Sequence, residues 1–199
     1  MTGPSRIVLA SGNPGKAAEI GALLAPARVE VVAQSAFGIE GAEETAGTFV
    51  ENALLKARHA ARGSGLPAVA DDSGLVVDAL GGAPGVHSAR FAGPGASDAD
   101  NNGRLLAALA GRPPGTRTAR FVCVAVLLRH ADDPLPVICQ GTWEGSVLDA
   151  PRGSGGFGYD PLFLPAGSDV TAAELSAAEK NRVSHRGRAF ARLLAALQG

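Results

Sequence analysis

The run Ile7-Val8-Leu9-Ala10 leaves through Ser11-Gly12-Asn13-Pro14-Gly15-Lys16 into apolar positions Ala17, Ile20, Leu23 and Leu24, and this stretch constrains the chain most. Four apolar residues in a row read as a buried strand, and the later spacing of three and four reads as a helix. Asn13 fits the N-cap and Pro14 the first helical position. Strand, glycine-bearing turn and helix in that order begin an α/β fold, and they turn backbone N–H groups toward whatever lies at the helix N-terminus. Lys16 falls in the first turn, where the helix dipole disfavours a cation unless an anion is near. The segment reads either as a phosphate grip or as an ordinary strand-to-helix turn with a surface lysine. A Walker A loop is excluded, because it needs glycine at position 10 and a hydroxyl residue at 17, where the chain has Ala10 and Ala17.

The alternation continues. Val29 to Ala33 reads as a second strand. Thr48 and Glu51 fit a capping box opening a helix through Ala53, Leu54, Ala57, Ala60 and Ala61, which stops at Gly63-Ser64-Gly65. Ala68-Val69-Ala70 and Leu75-Val76-Val77 read as strand-like runs, with Asp71-Asp72-Ser73-Gly74 as a break between them. Ser97 and Asp100 open a further helix through Leu105, Leu106 and Leu109. Phe121 to Leu128 is apolar at nearly every position, as a central strand covered on both faces requires, and Val137 to Trp143 pairs with it in a more antiparallel second half. Residues 150 to 168 form a shaped Gly/Pro-rich loop region; Thr171 and Glu174 make a third capping box, and Ala189, Phe190, Leu193, Leu194 and Leu197 a final amphipathic helix.

A chain of 199 residues, 46% hydrophobic, can bury one substantial core, as one domain or one domain with two lobes. Its net charge of −1 gives no broad basic surface, so polymeric nucleic acid is not an expected partner, whereas a small anion needs only a local patch. Cys123 and Cys139 lie in apolar runs and read as buried reduced thiols. The four apolar residues after Met1–Arg6 are too few for a signal-peptide core, and no run approaches membrane-spanning length, so the expected location is cytoplasmic, with no membrane partner.

Asp71 and Asp72 could bind a divalent cation or orient and deprotonate water, or could be solvated turn residues. Glu43-Glu44 is a second acidic pair in a loop before a helix. Gly153-Ser154-Gly155-Gly156-Phe157-Gly158 formally satisfies GxGxxG, but Pro161 and Phe163 follow with no helical run to hold a pyrophosphate, so a dinucleotide site is rejected. Phe157 and Tyr159, in a chain only 5% aromatic, offer either a stacking surface for a base or local packing. Lys180 and Ser184-His185-Arg186 sit near helix ends, as ligand contacts or as solvated basic groups. Donors there would suit a purine carrying oxygen at position 6 and would meet a donor on adenine. No Ser-His-Asp triad or zinc spacing can be assembled.

Six blocks in order resemble the non-canonical purine nucleoside triphosphate pyrophosphatases: Ser11-Gly12-Asn13-x-x-Lys16-x-x-Glu19; Glu43-Glu44-Thr45 with Thr48-Phe49-x-Glu51-Asn52-Ala53; Ala70-Asp71-Asp72-Ser73-Gly74-Leu75; Gly81-Gly82-x-Pro84-Gly85 with Ser88-Ala89-Arg90; Gly155-Gly156-Phe157-Gly158-Tyr159-Asp160-Pro161; and Glu179-Lys180 with Ser184-His185-Arg186-Gly187. The resemblance implies a single domain over residues 1–199, built as an elongated mixed central β-sheet flanked by helices, in two lobes with the active-site cleft between them. It also implies a homodimer that hydrolyses dITP, ITP and XTP to monophosphate and pyrophosphate with Mg2+, cleansing the nucleotide pool. Carried over by position, Ser11, Gly12, Asn13, Pro14, Gly15 and Lys16 would hold the triphosphate. Asp72 would be proton acceptor and metal ligand, with Glu43 as second metal acid and Glu44 its alternative, and Ser73 would touch substrate. Phe157 and Tyr159 would stack on the base within the segment Phe157, Gly158, Tyr159, Asp160, while Lys180, His185 and Arg186 would read its edge. Two positions depart from the family pattern: Thr45-Ala46-Gly47 where Thr-Gly is usual, and Tyr159 where Trp is frequent. A pyrophosphatase of other base preference and a nucleotide sensor without hydrolysis are the rival readings; a pure binder would gain little from the Asp72 carboxylate facing a polyanion.

Overall fold

The computed structural model describes residues 5–198; Met1–Pro4, on which the leader argument draws, lie outside them. The strands β1 (Arg6–Ala10), β2 (Glu30–Ala33), β3 (Ala68–Val77), β4 (Thr118–Leu128), β5 (Val137–Val147) and β6 (Phe163–Pro165) form one sheet in the order β2-β1-β3-β4-β5-β6. Strand β1 is parallel to both β2 and β3, and β5 is antiparallel to β6, so the sheet is mixed, as expected. The helices are α1 (Pro14–Leu24), α2 (Phe49–Ser64), α3 (Asp98–Ala108), α4 (Ala177–Val183) and α5 (His185–Gln198).

Two compact units divide the chain. The first holds residues up to Asp72, Cys123–Gly141 and the segment from Arg186; the second holds Ser73–Val122 and Thr142–His185. In the first unit the period-two alternation of strand side chains builds a core on each sheet face. Val8, Ala10, Ala68, Ala70, Val124, Val126 and Leu128 pack with Ala53, Ala57, Ala60 and Ala61 of α2, whose alanine stripe lets the helix lie close to the strands. Ile7, Leu9, Val69, Cys123, Ala125 and Leu127 pack on the other face with Ile20 and Leu24 of α1 and Ala189, Phe190 and Leu193 of α5. The second unit has its own core of Leu75, Val77, Leu105, Leu109, Phe121, Trp143, Leu162 and Phe163.

Three local expectations change. Strand β3 runs without interruption through Asp71, Asp72, Ser73 and Gly74, and both aspartates are buried, at 1% and 3% exposure. The turn reading rested on residue type; half-buried lysines pairing with both carboxylates, and the buried Arg186 with Asp71, let the strand continue. At α2 only half of the capping box forms: Thr48 Oγ1 accepts the Glu51 N–H, but the Glu51 carboxylate takes the Thr48 hydroxyl and not its N–H. Thr171 and Glu174 do not open a helix. Glu174 accepts the Thr171 N–H while the Thr171 hydroxyl goes to Arg152 O, and α4 is opened instead by a full box between Ser176 and Glu179. Cys123 is buried, Cys139 is partly so, and both are free thiols.

Candidate active site

From β1 the chain reaches β2 through α1 on one side, and from β2 it reaches β3 through α2 on the other. The C-terminal end of β1 is therefore a topological switch point, the place where open α/β sheets leave room for ligands. The β1/β3 ladder ends with Ala10 opposite Ala70, so the loop that starts at Ser11 departs where Asp71 begins. In that loop Ser11 Oγ accepts the Asn13 N–H, and Asn13 Oδ1 caps α1 by accepting the Lys16 N–H at 3.0 Å. Pro14 occupies the first turn, as expected. The anion that compensates Lys16 within the protein is Asp71: Lys16 Nζ lies 3.6 Å from Asp71 Oδ2.

Neighbouring side chains in a strand point to opposite faces, and this separates the two aspartates. Asp71 joins the face of α1 and α5. Its Oδ2 lies 3.2 Å from Arg186 Nη2, and Arg186 Nη1 is 2.5 Å from Glu19 Oε2. Burial raises the Asp71 pKa, but Lys16, Arg186 and Lys56 outweigh it and hold the carboxyl well below the usual carboxylate range. Asp72 joins the face of α2, where Lys56 Nζ is 3.0 Å from Asp72 Oδ1 and 2.8 Å from Glu44 Oε1. Burial, reinforced by Glu44, pushes the Asp72 pKa up despite the opposing charges of Lys56 and Lys16.

Asn52, one turn before Lys56 on α2, donates to Asp72 Oδ2 at 3.4 Å. It also holds the acidic loop, accepting the Ala46 N–H and donating to the Ala46 carbonyl. These bonds reach only the backbone of residue 46, so alanine there leaves the loop anchored. Glu43 is exposed, while Glu44 is half-buried and shares Lys56 with Asp72; the geometry therefore favours Glu44 over Glu43 as the second acid.

In the second unit the glycine loop folds around Asp160. Asp160 Oδ2 accepts the Phe157 N–H at 2.9 Å and Lys180 Nζ at 2.5 Å, and Lys180 Nζ stands 4.7 Å from the centre of the Phe157 ring. Gly156 makes this possible: its φ is +70°, and a Cβ there would meet Asp160 Oδ2 at 2.1 Å. Ser73 is half-buried in β3. Tyr159 corrects the stacking assignment, since it is 4% exposed, belongs to the core and donates its hydroxyl to Ser88 O at 2.8 Å. Phe157, by contrast, is half-buried. His185 and Arg186, adjacent in sequence, part company. His185 stacks on Phe121 at 4.7 Å and 11° in the second unit, and the Arg186 guanidinium pairs with Asp71 and Glu19 in the first, where it supports the acid.

Sequence reasoning missed Lys56 and Asn52 as site residues. Their signal was the i, i+4 spacing on α2 beside the alanine stripe. Among the described residues no group of three or more His, Cys, Asp or Glu side chains converges as a metal cage.

A mixed sheet carrying buried, oppositely tuned aspartates and an Asn-capped loop at the switch point of its parallel strands defines an α/β protein built for a charged small ligand. Residues 7–196 match the Ham1 family, and the chain belongs to it. It is 60% identical to a dITP/XTP pyrophosphatase of Methylococcus capsulatus, covering 97% of this chain and 96% of that protein. Identity to the dITP/XTP pyrophosphatase of Ralstonia nicotianae is 61%, with the same coverage. Among solved structures, a HAM1 protein from Coxiella burnetii superposes with a TM-score of 0.90 at 49% identity, over 97% of this chain and 98% of that one. The Ham1 protein of Staphylococcus aureus gives 0.85 at 39% identity, over 98% of each chain.

Proposed function

We propose that this chain hydrolyses dITP, ITP and XTP to the nucleoside monophosphate and pyrophosphate, removing these purines from the pool that supplies DNA and RNA synthesis. The observation that carries the reading is near full-length identity of 60% and 61% to dITP/XTP pyrophosphatases. The geometry supports a division of labour. The Ser11–Lys16 loop and Lys16 take the phosphates, using backbone N–H groups, a helix N-terminus and a full positive charge. Asp72 orients and deprotonates the water that attacks the α-phosphorus; a buried carboxylate whose pKa is raised toward the working pH suits a general base.

The acids fit Mg2+. Glu44 and Asp72 already converge on one cationic group, the Lys56 ammonium. Magnesium takes one or two carboxylates and completes its shell with phosphate oxygens and water. Asp72 and Glu44 would hold it, and when bound it offsets charge on the phosphates and the leaving pyrophosphate. Phe157 offers a face to the purine, while Lys180, held by Asp160, supplies a donor to an oxygen at position 6. His185, buried and stacked on Phe121, is a further contact in this reading.

A homodimer and a cytoplasmic location belong to the same proposal. No helix among the described residues is long and apolar enough to cross a membrane. Gel filtration across a range of concentrations tests the dimer. The activity is tested by following pyrophosphate release from dITP, XTP, dGTP and dATP with and without magnesium: turnover of dITP and XTP above dATP is expected, and no magnesium-dependent turnover of any triphosphate contradicts the reading.

A further inference from the structure

One residue of the glycine loop is gripped at both its N–H and its C=O by a single helix. Gly158 N–H donates to Asp98 Oδ2 at 2.6 Å, and Gly158 C=O accepts from Asn102 Nδ2 at 2.8 Å. Asp98 and Asn102 are four residues apart on α3, hence on one face of the helix. Asn102 is itself fixed by a second donation from Nδ2 to Asp98 O at 2.8 Å, which leaves its Oδ1 buried without a partner. An unpartnered buried acceptor is costly, so the two donations oblige the side chain to this orientation. Between α3 and the loop lies a cavity of about 520 Å³ that Asp98, Asn102, Phe157 and Gly158 help to line. The loop is thus held over α3 by these polar contacts and not by close packing alone. Gly158 adopts φ +62°, and it joins Phe157, whose ring lies over Lys180, to Tyr159, whose hydroxyl is tied to Ser88 O.

We infer that Asp98 and Asn102 are positioning residues for base selection: by clamping Gly158 they set the height and tilt of the Phe157 ring against Lys180. This rests on the proposed reading of Phe157 and Lys180 as base contacts. Both clamp residues belong to the second unit, whereas the residues proposed for the phosphates and the metal belong to the first, so losing the clamp weakens substrate binding and base discrimination while sparing the chemical step.

The test is steady-state kinetics on dITP and dATP with Asp98→Ala, Asn102→Ala and Asp98→Asn, alongside amide hydrogen exchange at Gly158. The Asp98→Ala and Asn102→Ala variants are expected to raise KM for dITP by about ten-fold, to change kcat by less than about three-fold, and to lower the dITP-over-dATP ratio of kcat/KM. Gly158 exchange should accelerate by about ten-fold in Asp98→Ala. Asp98→Asn keeps an oxygen that accepts the Gly158 N–H and should stay within about three-fold of the wild type in all of these. An unchanged KM and base ratio in both alanine variants, or an Asp98→Asn variant as impaired as Asp98→Ala, overturns the inference. Lys180→Met serves as the control: if it shifts the base ratio and the clamp variants do not, the clamp inference alone fails, whereas if it too leaves the ratio unchanged, the underlying assignment of the base contacts fails.

Discussion

Lys56 Nζ lies 3.0 Å from Asp72 Oδ1, and the same ammonium is 2.8 Å from Glu44 Oε1, so one half-buried lysine on α2 serves both acids of the α2 face. It is the strongest influence holding the Asp72 pKa down against burial. Replacing it by methionine, which keeps most of the apolar stem, removes that restraint. The acid limb of the kcat/KM profile should then move to higher pH, by roughly one unit. A limb that stays in place, or moves to lower pH, shows that Lys56 does not govern Asp72.

The two aspartates should act on stability in opposite directions. Folding lowers the Asp71 pKa, so its contribution is full above the unfolded value of about 3.9, is eroded as pH falls below that value, and is gone below the folded one. Folding raises the Asp72 pKa, so its ionisation costs stability as pH rises through the raised value. Asp71→Asn strips Arg186 and Lys16 of their shared carboxylate and should cost about 3–5 kcal/mol near neutral pH. Asp72→Asn leaves Lys56 paired with Glu44 and should be as stable as the wild type or more so. Urea denaturation of both variants checks the sign, and a more stable Asp71→Asn contradicts it.

Tyr159 is a core residue with one polar bond, so Tyr159→Phe should lower stability by about 1–3 kcal/mol through the unpaired Ser88 carbonyl. KM and kcat for dITP should stay within about three-fold. Phe157→Ala should do the reverse, leaving stability nearly intact and weakening substrate binding. Thermal unfolding and steady-state kinetics on the pair separate the two rings.

Glu44→Gln should raise the magnesium concentration needed for half-maximal rate by at least roughly ten-fold, because one of two converging acids is lost. Glu43→Gln should shift it by less than about two-fold, since Glu43 is exposed. Magnesium titrations of both variants decide between the acids, and the opposite ranking restores Glu43.

Much of this was legible in the sequence because it is local. Asn13 and Pro14 announce the start of α1, Ser97 and Asp100 the start of α3, and the unbroken apolar run from Phe121 to Leu128 the strand covered on both faces. What could not be read depends on partners distant in the chain. Asp71-Asp72-Ser73-Gly74 has the composition of a turn, and only Arg186, 115 residues away, with Lys16 and Lys56, makes a strand of it. Tyr159 has the composition of a stacking residue, and Ser88, 71 residues away, makes it core. The Lys16 mismatch with its helix dipole was a sound signal, but an internal carboxylate answers it, so the dipole argument alone did not establish a bound phosphate.

If the buried Asp72 carboxylate is the base of a magnesium-dependent triphosphate hydrolysis, removing its charge must slow the chemical step itself. The most direct measurement is the single-turnover rate of pyrophosphate release from dITP at saturating magnesium, wild type against Asp72→Asn, with both proteins shown to be folded. A loss of about 10²–10⁴-fold is expected in the variant. A variant that releases pyrophosphate within about three-fold of the wild-type rate contradicts it.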